Sequence, residues 1–121
     1  MLIDDSPVMR RFLSGFLGKK WTIVEVSNGL EALAHLRAGG FPDLILADLN
    51  MPQLNGFQFL ERMQASPLYQ QIPVMILSGS TDSADRIRCL ELGAIDYLQK
   101  PFNPTELELR IQATLMRRPT A

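Results

Sequence analysis

Short apolar runs alternate with longer segments of helical periodicity along the whole chain, and this alternation limits the folds open to it. The apolar runs are too short for helices, and most are rich in Val, Ile and Leu, which is typical of strands buried on both faces. They cover residues 1–3, 21–26, 44–47, 74–77 and 97–98. Five such strands alternating with five helices predict an α/β fold, in which a parallel sheet carries helices on both faces.

The intervening segments predict helices over residues 7–19, 28–38, 56–65, 83–92 and 104–117. In the first, Val8, Phe12 and Phe16 lie on one stripe, with Met9 and Leu13 beside it. In the fourth, Ile87 and Leu90 have the same kind of spacing. A capping residue followed by proline predicts the start of two of the helices, at Ser6-Pro7 and at Asn103-Pro104.

Size and charge exclude several classes of protein. The 121 residues and 13.6 kDa suit one domain, and a net charge of −1 argues against a domain that binds nucleic acid through a strong basic field. The single cysteine excludes an intramolecular disulfide framework and a cysteine-cluster metal site. The sequence has neither a secretory signal nor an apolar run long enough for a membrane span, so we expect a cytoplasmic domain.

Polar side chains collect where the predicted strands end. Asp4 and Asp5 follow the first strand, Asp48 the third, Ser78 the fourth and Lys100 the fifth. In doubly wound sheets, ligands bind beyond the carboxyl ends of the strands. These five side chains are therefore the candidate site.

The residue types at this edge suit phosphoryl transfer. Three carboxylates repel one another unless a cation neutralises them, and an all-oxygen ligand set favours Mg²⁺. No His or Cys lies at a strand end, which argues against zinc. Lys100 and the Ser78 hydroxyl would stabilise phosphoryl oxygens. Each residue alone also fits an ordinary turn, helix cap or surface position, and the functional interpretation depends on their coincidence at one edge.

Five motifs, in this order and spacing, resemble the receiver domain of two-component response regulators. They are Ile3-Asp4-Asp5-Ser6, Asp48-Leu49-Asn50-Met51-Pro52 with Gly56, Leu77-Ser78-Gly79, Gly93-Ala94, and Tyr97-Leu98-Gln99-Lys100-Pro101-Phe102. The resemblance runs from Ile3 to about Arg118. It implies a flavodoxin-like, doubly wound sheet with strand order 2-1-3-4-5.

The resemblance also implies a role for the acidic residues. Asp48 would accept a phosphoryl group from the phosphohistidine of a histidine kinase or phosphotransfer protein. Asp5 would bind Mg²⁺ directly and Asp4 through water, while Asp48 and the backbone carbonyl of Asn50 would complete the metal site.

Three further residues take roles by the same resemblance. Lys100 would pair with the phosphoryl group, across a cis peptide to Pro101. Ser78 would move to bond a phosphoryl oxygen, and Tyr97 would then turn inward. The surface of the fourth helix, fifth strand and fifth helix would change with them and so control an output domain or partner protein.

Two charge pairs suggest a homodimer. Arg86 with Glu106, and Asp96 with Arg110, resemble cross-dimer salt bridges of winged-helix response regulators. Ile95 occupies the place of a further acidic partner. We therefore expect a weak dimer that phosphorylation promotes.

We expect the receiver domain to span residues 1–118, and residues 119–121 to begin a linker to an effector. Only three residues precede Asp4, so either the first strand is short or the full protein has residues before Met1.

Three other functions fit less well. A haloacid-dehalogenase-type phosphatase would need an aspartate two residues after Asp48, where Asn50 stands, and a longer chain. A flavodoxin-like cofactor binder would need a phosphate-binding loop where Asp4-Asp5 would repel phosphate. A receiver that acts without phosphorylation would not need the complete acidic set together with Ser78 and Lys100.

Overall fold

The predicted architecture is confirmed in the computed structural model, which describes residues 1–117. Five parallel strands form one sheet in the order β2-β1-β3-β4-β5. The strands are β1 Leu2–Ile3, β2 Glu25–Val26, β3 Ile45–Asp48, β4 Val74–Ser78 and β5 Asp96–Gln99. The helices are α1 Pro7–Leu17, α2 Gly29–Arg37, α3 Gly56–Gln64, α4 Ser83–Glu91 and α5 Pro104–Met116, with a short 3₁₀ turn at Tyr69–Gln71.

Side chains of the central strands alternate between two buried layers. Val74 and Ile76 of β4 pack in the layer with α2, α3 and α4, while Met75 and Leu77 pack with α1 and α5. Successive side chains of a strand point to opposite faces, so a strand with a helical layer on each side must be apolar throughout. This is why the apolar runs of the sequence identify the strands.

Helix α1 does not bury the whole stripe of Val8, Phe12 and Phe16. Val8 is 77% exposed and Phe12 is 50% exposed, whereas Leu13 and Leu17 are buried. Helix α1 has more apolar side chains than one face can hold, and Leu13 and Leu17 form a second i, i+4 stripe beside the first. The sheet takes the leucine stripe, and Phe16 at the border is partly buried.

The apolar spacing of Ile87 and Leu90 does not identify the buried face of the fourth helix. Ile87 is 50% exposed and Leu90 is 45% exposed, and α4 instead buries Cys89. Helix α4 therefore has a small apolar anchor in the core.

Strand β2 is shorter than the predicted run of residues 21–26. An edge strand can pair only along its neighbour, and β1 offers Leu2 and Ile3. The N–H of Leu2 donates to the carbonyl of Val24 at 2.8 Å, and regular pairing then covers only Glu25 and Val26. The predicted end of the domain at Arg118 and the tail of residues 119–121 lie outside the described residues.

Candidate functional site

The strand order brings the predicted site residues to one edge of the sheet. Asp4 directly follows β1, and Asp48 is the last residue of the adjacent strand β3. Ser78 ends β4, and Lys100 follows β5. Asp4 stays in the sheet hydrogen bonding, since its N–H donates to the carbonyl of Val26 at 3.2 Å.

Asp4, Asp5 and Asp48 form a cluster of carboxylates. One oxygen from each lies within 4.8 Å of the others. Asp4 is only 2% exposed, whereas Asp5 is exposed. One Asp4 oxygen, Oδ1, accepts the N–H of Ser6 at 2.9 Å, and this bond orients the carboxyl group. Three convergent carboxylates with no nitrogen or sulfur donor among them suit a hard cation such as Mg²⁺.

Lys100 lies between two of these carboxylates. Its Nζ is 3.6 Å from Asp4 Oδ2 and 3.4 Å from Asp48 Oδ2. The backbone N–H of Lys100 donates to the carbonyl of Ser78 at 2.6 Å, and the Lys100–Pro101 peptide is cis, as predicted. The two Nζ distances place the Lys100 ammonium group against the acidic cluster.

Opposing effects act on the pKa of the Asp48 carboxyl group. Partial burial raises its pKa above the ordinary value, and this is the largest effect. The charge of Lys100 and the N–H of Asn50, which donates to Asp48 Oδ1 at 3.2 Å, act in the opposite direction. Asp48 is therefore held by one hydrogen bond and one ion pair and is not fully enclosed.

The loop after Asp48 is folded back closely on itself. The N–H of Gly56, at the start of α3, donates to the carbonyl of Leu49 at 2.8 Å. A Cβ atom at Gly56 would lie 2.8 Å from Leu49 Cα, which is closer than side chains tolerate. The glycine is required for this approach, which fixes the backbone beside Asp48.

Ser78 is fully buried, and its Oγ accepts the N–H of Ser80 at 3.0 Å. Tyr97 is 9% exposed, and its hydroxyl donates to the carbonyl of Ser80 at 3.4 Å. The Tyr97 ring therefore already lies inward in this structure.

Sequence analysis missed a residue that supports the acidic loop. The guanidinium of Arg10 donates to the backbone carbonyl of Asp4 at 2.6 Å, and its Nε is 3.6 Å from Glu25 Oε1. In the sequence, Arg10 stands one turn inside α1, near the loop at Asp4. Many exposed arginines stand at such positions, so the sequence alone did not single out this one.

Three of the four predicted dimer residues contact one another inside one chain. Arg110 is 2.9 Å from Asp96 Oδ1 and 3.1 Å from Glu106 Oε1, and these hydrogen bonds raise the pKa of Arg110. Arg86, on α4, is exposed.

Comparison with known proteins identifies the family. The sequence profile of the response regulator receiver domain matches residues 1–112. The chain belongs to this family. It is therefore a signalling domain of two-component systems, and both the fold and the motifs identified above agree with that assignment.

Two curated relatives and one solved structure illustrate the likeness. The chain is 38% identical over 118 residues to response regulator GtcR of Aneurinibacillus migulanus, covering 97% of this chain and 47% of that protein. It is 33% identical over 111 residues to hybrid signal transduction histidine kinase D of Dictyostelium discoideum, covering 92% of this chain and 7% of that protein. The chain thus spans less than half the length of either relative.

The solved structure is the receiver domain of a sensor histidine kinase from Pseudomonas aeruginosa, which has a magnesium ion in its active-site cleft. It superposes with a TM-score of 0.85 at 28% identity, covering 95% of this chain and 94% of that one. Among the helices of residues 1–117, none has the length and apolarity needed to cross a bilayer.

Proposed function

We propose that this domain accepts a phosphoryl group on Asp48 from the phosphohistidine of a histidine kinase or phosphotransfer protein. The observation that carries the proposal is the position of Lys100, 3.4 Å from Asp48 and 3.6 Å from Asp4. A cation held between an accessible carboxylate and a buried one favours the approach of further negative charge.

The transfer exchanges one bond for another. A carboxylate oxygen of Asp48 attacks phosphorus, and the new P–O bond forms as the P–N bond to the donor histidine breaks. Lys100 pairs with a phosphoryl oxygen, and the Ser78 hydroxyl donates to another. The domain thus catalyses its own phosphorylation and later its own dephosphorylation, and it acts as a switch and not as an enzyme on other substrates.

Asp4, Asp5, Asp48 and the backbone carbonyl of Asn50 would hold Mg²⁺. Bound there, the ion would supply positive charge to the carboxylates and to the phosphoryl oxygens. The clustering of three carboxylates within 4.8 Å supports this site.

The switching surface in this proposal comprises α4, β5 and α5. Ser78 turns its hydroxyl hydrogen toward the phosphoryl group. Tyr97, whose ring already lies inward, is coupled to Ser78 because both contact Ser80. The apolar side chains exposed on or next to these elements, Ile87, Leu90, Ile95 and Leu109, offer an apolar surface to an output domain or partner protein. We place the domain in the cytoplasm, where its histidine-kinase donor would act.

A homodimer is part of the proposal. Arg110 and Asp96 already pair within one chain, so a second copy would compete for them, and Arg86 with Glu106 would add a pair across the interface. Because exposed pairs contribute little, the dimer is weak unless phosphorylation changes the surface.

Incubation with a small phosphodonor and Mg²⁺ tests the proposed function. We expect one added phosphoryl group per chain by intact mass, and none when EDTA replaces Mg²⁺ or in Asp48→Asn. Persistence of the label in Asp48→Asn would show that another residue is the acceptor.

A further inference from the structure

Every polar group of Ser80 takes part in a hydrogen bond. Its N–H donates to Ser78 Oγ at 3.0 Å, and its carbonyl accepts from the Tyr97 hydroxyl at 3.4 Å. Its Oγ donates to Asp85 Oδ2 at 2.7 Å and accepts the N–H of Asp82 at 3.2 Å. Ser80 therefore connects the buried hydroxyl of β4, the ring of β5 and the first turn of α4.

The bond to Asp85 is the strongest of these contacts. A hydroxyl that donates to a carboxylate makes a charge-assisted bond, which is shorter and stronger than a bond between neutral groups. Asp85 lies in the first turn of α4, where the helix dipole favours a negative charge. The carboxylate is thus stable in this position and holds the Ser80 side chain.

Helix α4 depends on such polar contacts at its start. Cys89 is its one buried residue, and Ile87 faces solvent. Asp82 caps the helix by accepting the N–H of Ala84 at 2.9 Å. With so small an apolar anchor, the start of α4 and the loop before it are located by the Asp85–Ser80 and Asp82 contacts.

This arrangement has a consequence for Ser78. Its Oγ acts as the acceptor in its bond with Ser80, so the hydroxyl hydrogen remains available for a different acceptor. A serine side chain rotates among three staggered positions, and the Ser80 N–H favours the one in which Oγ faces it. The orientation of Ser78 is therefore only as well defined as the position of Ser80.

We infer that Asp85 is a positioning residue, which acts through Ser80 to hold the Ser78 hydroxyl ready to donate to an incoming phosphoryl oxygen. The inference rests on the proposed phosphoacceptor function of Asp48. Asp85 itself lies on α4 and acts on the site only through Ser80.

The test compares four variants of the whole chain for their affinity for beryllofluoride, a phosphoryl mimic, in the presence of Mg²⁺ by ¹⁹F NMR. Asp85→Ala and Ser80→Ala remove their shared hydrogen bond from opposite sides, and each should weaken binding roughly three- to tenfold. Ser80→Ala also removes the acceptor of the Asp82 N–H and should have the larger effect of the two. Asp85→Asn keeps an acceptor oxygen and should restore most of the affinity. Glu91→Ala, an exposed acidic residue at the other end of α4, is the matched control and should bind like the unmodified protein.

Two readouts separate positioning from general damage. Loss of the Ser80 contact should shift the backbone amide resonances of Ser78 and Ser80 before any mimic is added, and Glu91→Ala should leave them in place. The double variant Asp85→Ala with Ser80→Ala should bind no more weakly than Ser80→Ala alone, because Asp85 acts only through its bond to Ser80.

Unchanged or tighter binding in both Asp85→Ala and Ser80→Ala would overturn the inference, and tighter binding would mean that the contact opposes the switch. If Asp85→Ala fails to fold, Ser80→Ala alone decides the question. If the unmodified chain neither binds beryllofluoride nor gains a phosphoryl group, the proposed function fails. If it does both and the variants match it, only the role of Asp85 fails.

Discussion

Two cations in this protein, Lys100 and Arg110, each lie between two carboxylates, but in different settings. Lys100 projects over the carboxyl edge of the sheet, with its Nζ 3.6 Å from Asp4 and 3.4 Å from Asp48. Asp4 is almost completely buried, and Asp5 adds a third carboxylate to the same cluster.

Arg110 lies on the outer surface of α5. Its guanidinium is 2.9 Å from Asp96 and 3.1 Å from Glu106, and all three side chains are partly exposed. Both contacts fall within ordinary hydrogen-bond range, and one guanidinium serves two carboxylates with its fork of donors.

The two clusters differ in how much they would gain from a further cation. The surface network also has one cation for two carboxylates, but both lie at hydrogen-bond distance, and all three groups are partly exposed to solvent, which screens the remaining charge. At the sheet edge one lysine, at distances beyond a normal hydrogen bond, faces three carboxylates, one of which is almost completely buried, so the excess of negative charge is larger and less screened. Further positive charge therefore stabilises the sheet edge more than the surface network.

Replacing the two cations should separate these roles most strongly. Lys100→Met should slow phosphoryl uptake about 10²- to 10³-fold, because it removes a charge aimed at the reacting oxygens. Arg110→Met, the matched control on the surface, should leave the rate nearly unchanged. The time course of intact mass with a small phosphodonor and Mg²⁺ measures both, and equal slowing in the two variants would contradict the comparison.

Removing a carboxylate should have opposite effects on stability with and without metal. In EDTA, Asp48→Asn should raise the free energy of unfolding by about 1 kcal/mol, because it removes a partly buried charge and its repulsion from Asp4. With Mg²⁺ at about 100 times its dissociation constant, the unmodified protein should gain about 2.7 kcal/mol and the variant much less. Urea unfolding in the two buffers gives these values. A lower free energy of unfolding for the variant in EDTA would show that the charge of Asp48 does not destabilise the site.

Breaking the surface network should cost little. Arg110→Met should lower the free energy of unfolding by at most about 1 kcal/mol, because exposed ion pairs are weak even when their geometry is good. The loss should shrink in high salt, where screening has already weakened the pair. Urea unfolding at low and high ionic strength checks this, and a salt-independent loss would point to lost packing instead.

Cys89 shows the effect of burial on an acid whose neighbouring cation, Arg88, offsets that effect only in part. Burial, with a smaller contribution from Asp85, raises the pKa of this thiol from 9.0 to about 11. Because the folded-state value is the higher one, stability is retained below pH 9 and falls as pH rises toward 11. At pH 8 we expect a disulfide reagent to label Cys89 far more slowly in the native protein than in urea, and equal rates would contradict its burial.

The strands and the candidate site could be predicted from the sequence because each has a local signal. Strands buried on both faces must be apolar throughout, and Asp48, Ser78 and Lys100 come directly at or after the strand ends. Helix N-caps such as Ser6, whose Oγ accepts the N–H of Met9 at 3.2 Å, could be predicted for the same reason.

The remaining features depend on contacts that a local sequence pattern does not reveal. The sheet determines which apolar side of α1 is buried, so the stripe of Val8 and Phe12 did not identify it. The length of β2 is set by β1. The Ser80–Asp85 bond and the bond from Arg10 to the backbone carbonyl of Asp4 use side chains whose sequence positions are also typical of exposed residues.

The central claim, that Asp48 is the phosphoacceptor, is tested most directly by locating the modified residue. Borohydride reduces an aspartyl phosphate to homoserine, a change that peptide mass spectrometry can assign to one position. After incubation with a phosphodonor and Mg²⁺, we expect homoserine at position 48. We expect none when either the phosphodonor or Mg²⁺ is left out. Homoserine at position 4 or 5, or no reduced residue in a protein that carries the added phosphoryl mass, would contradict it.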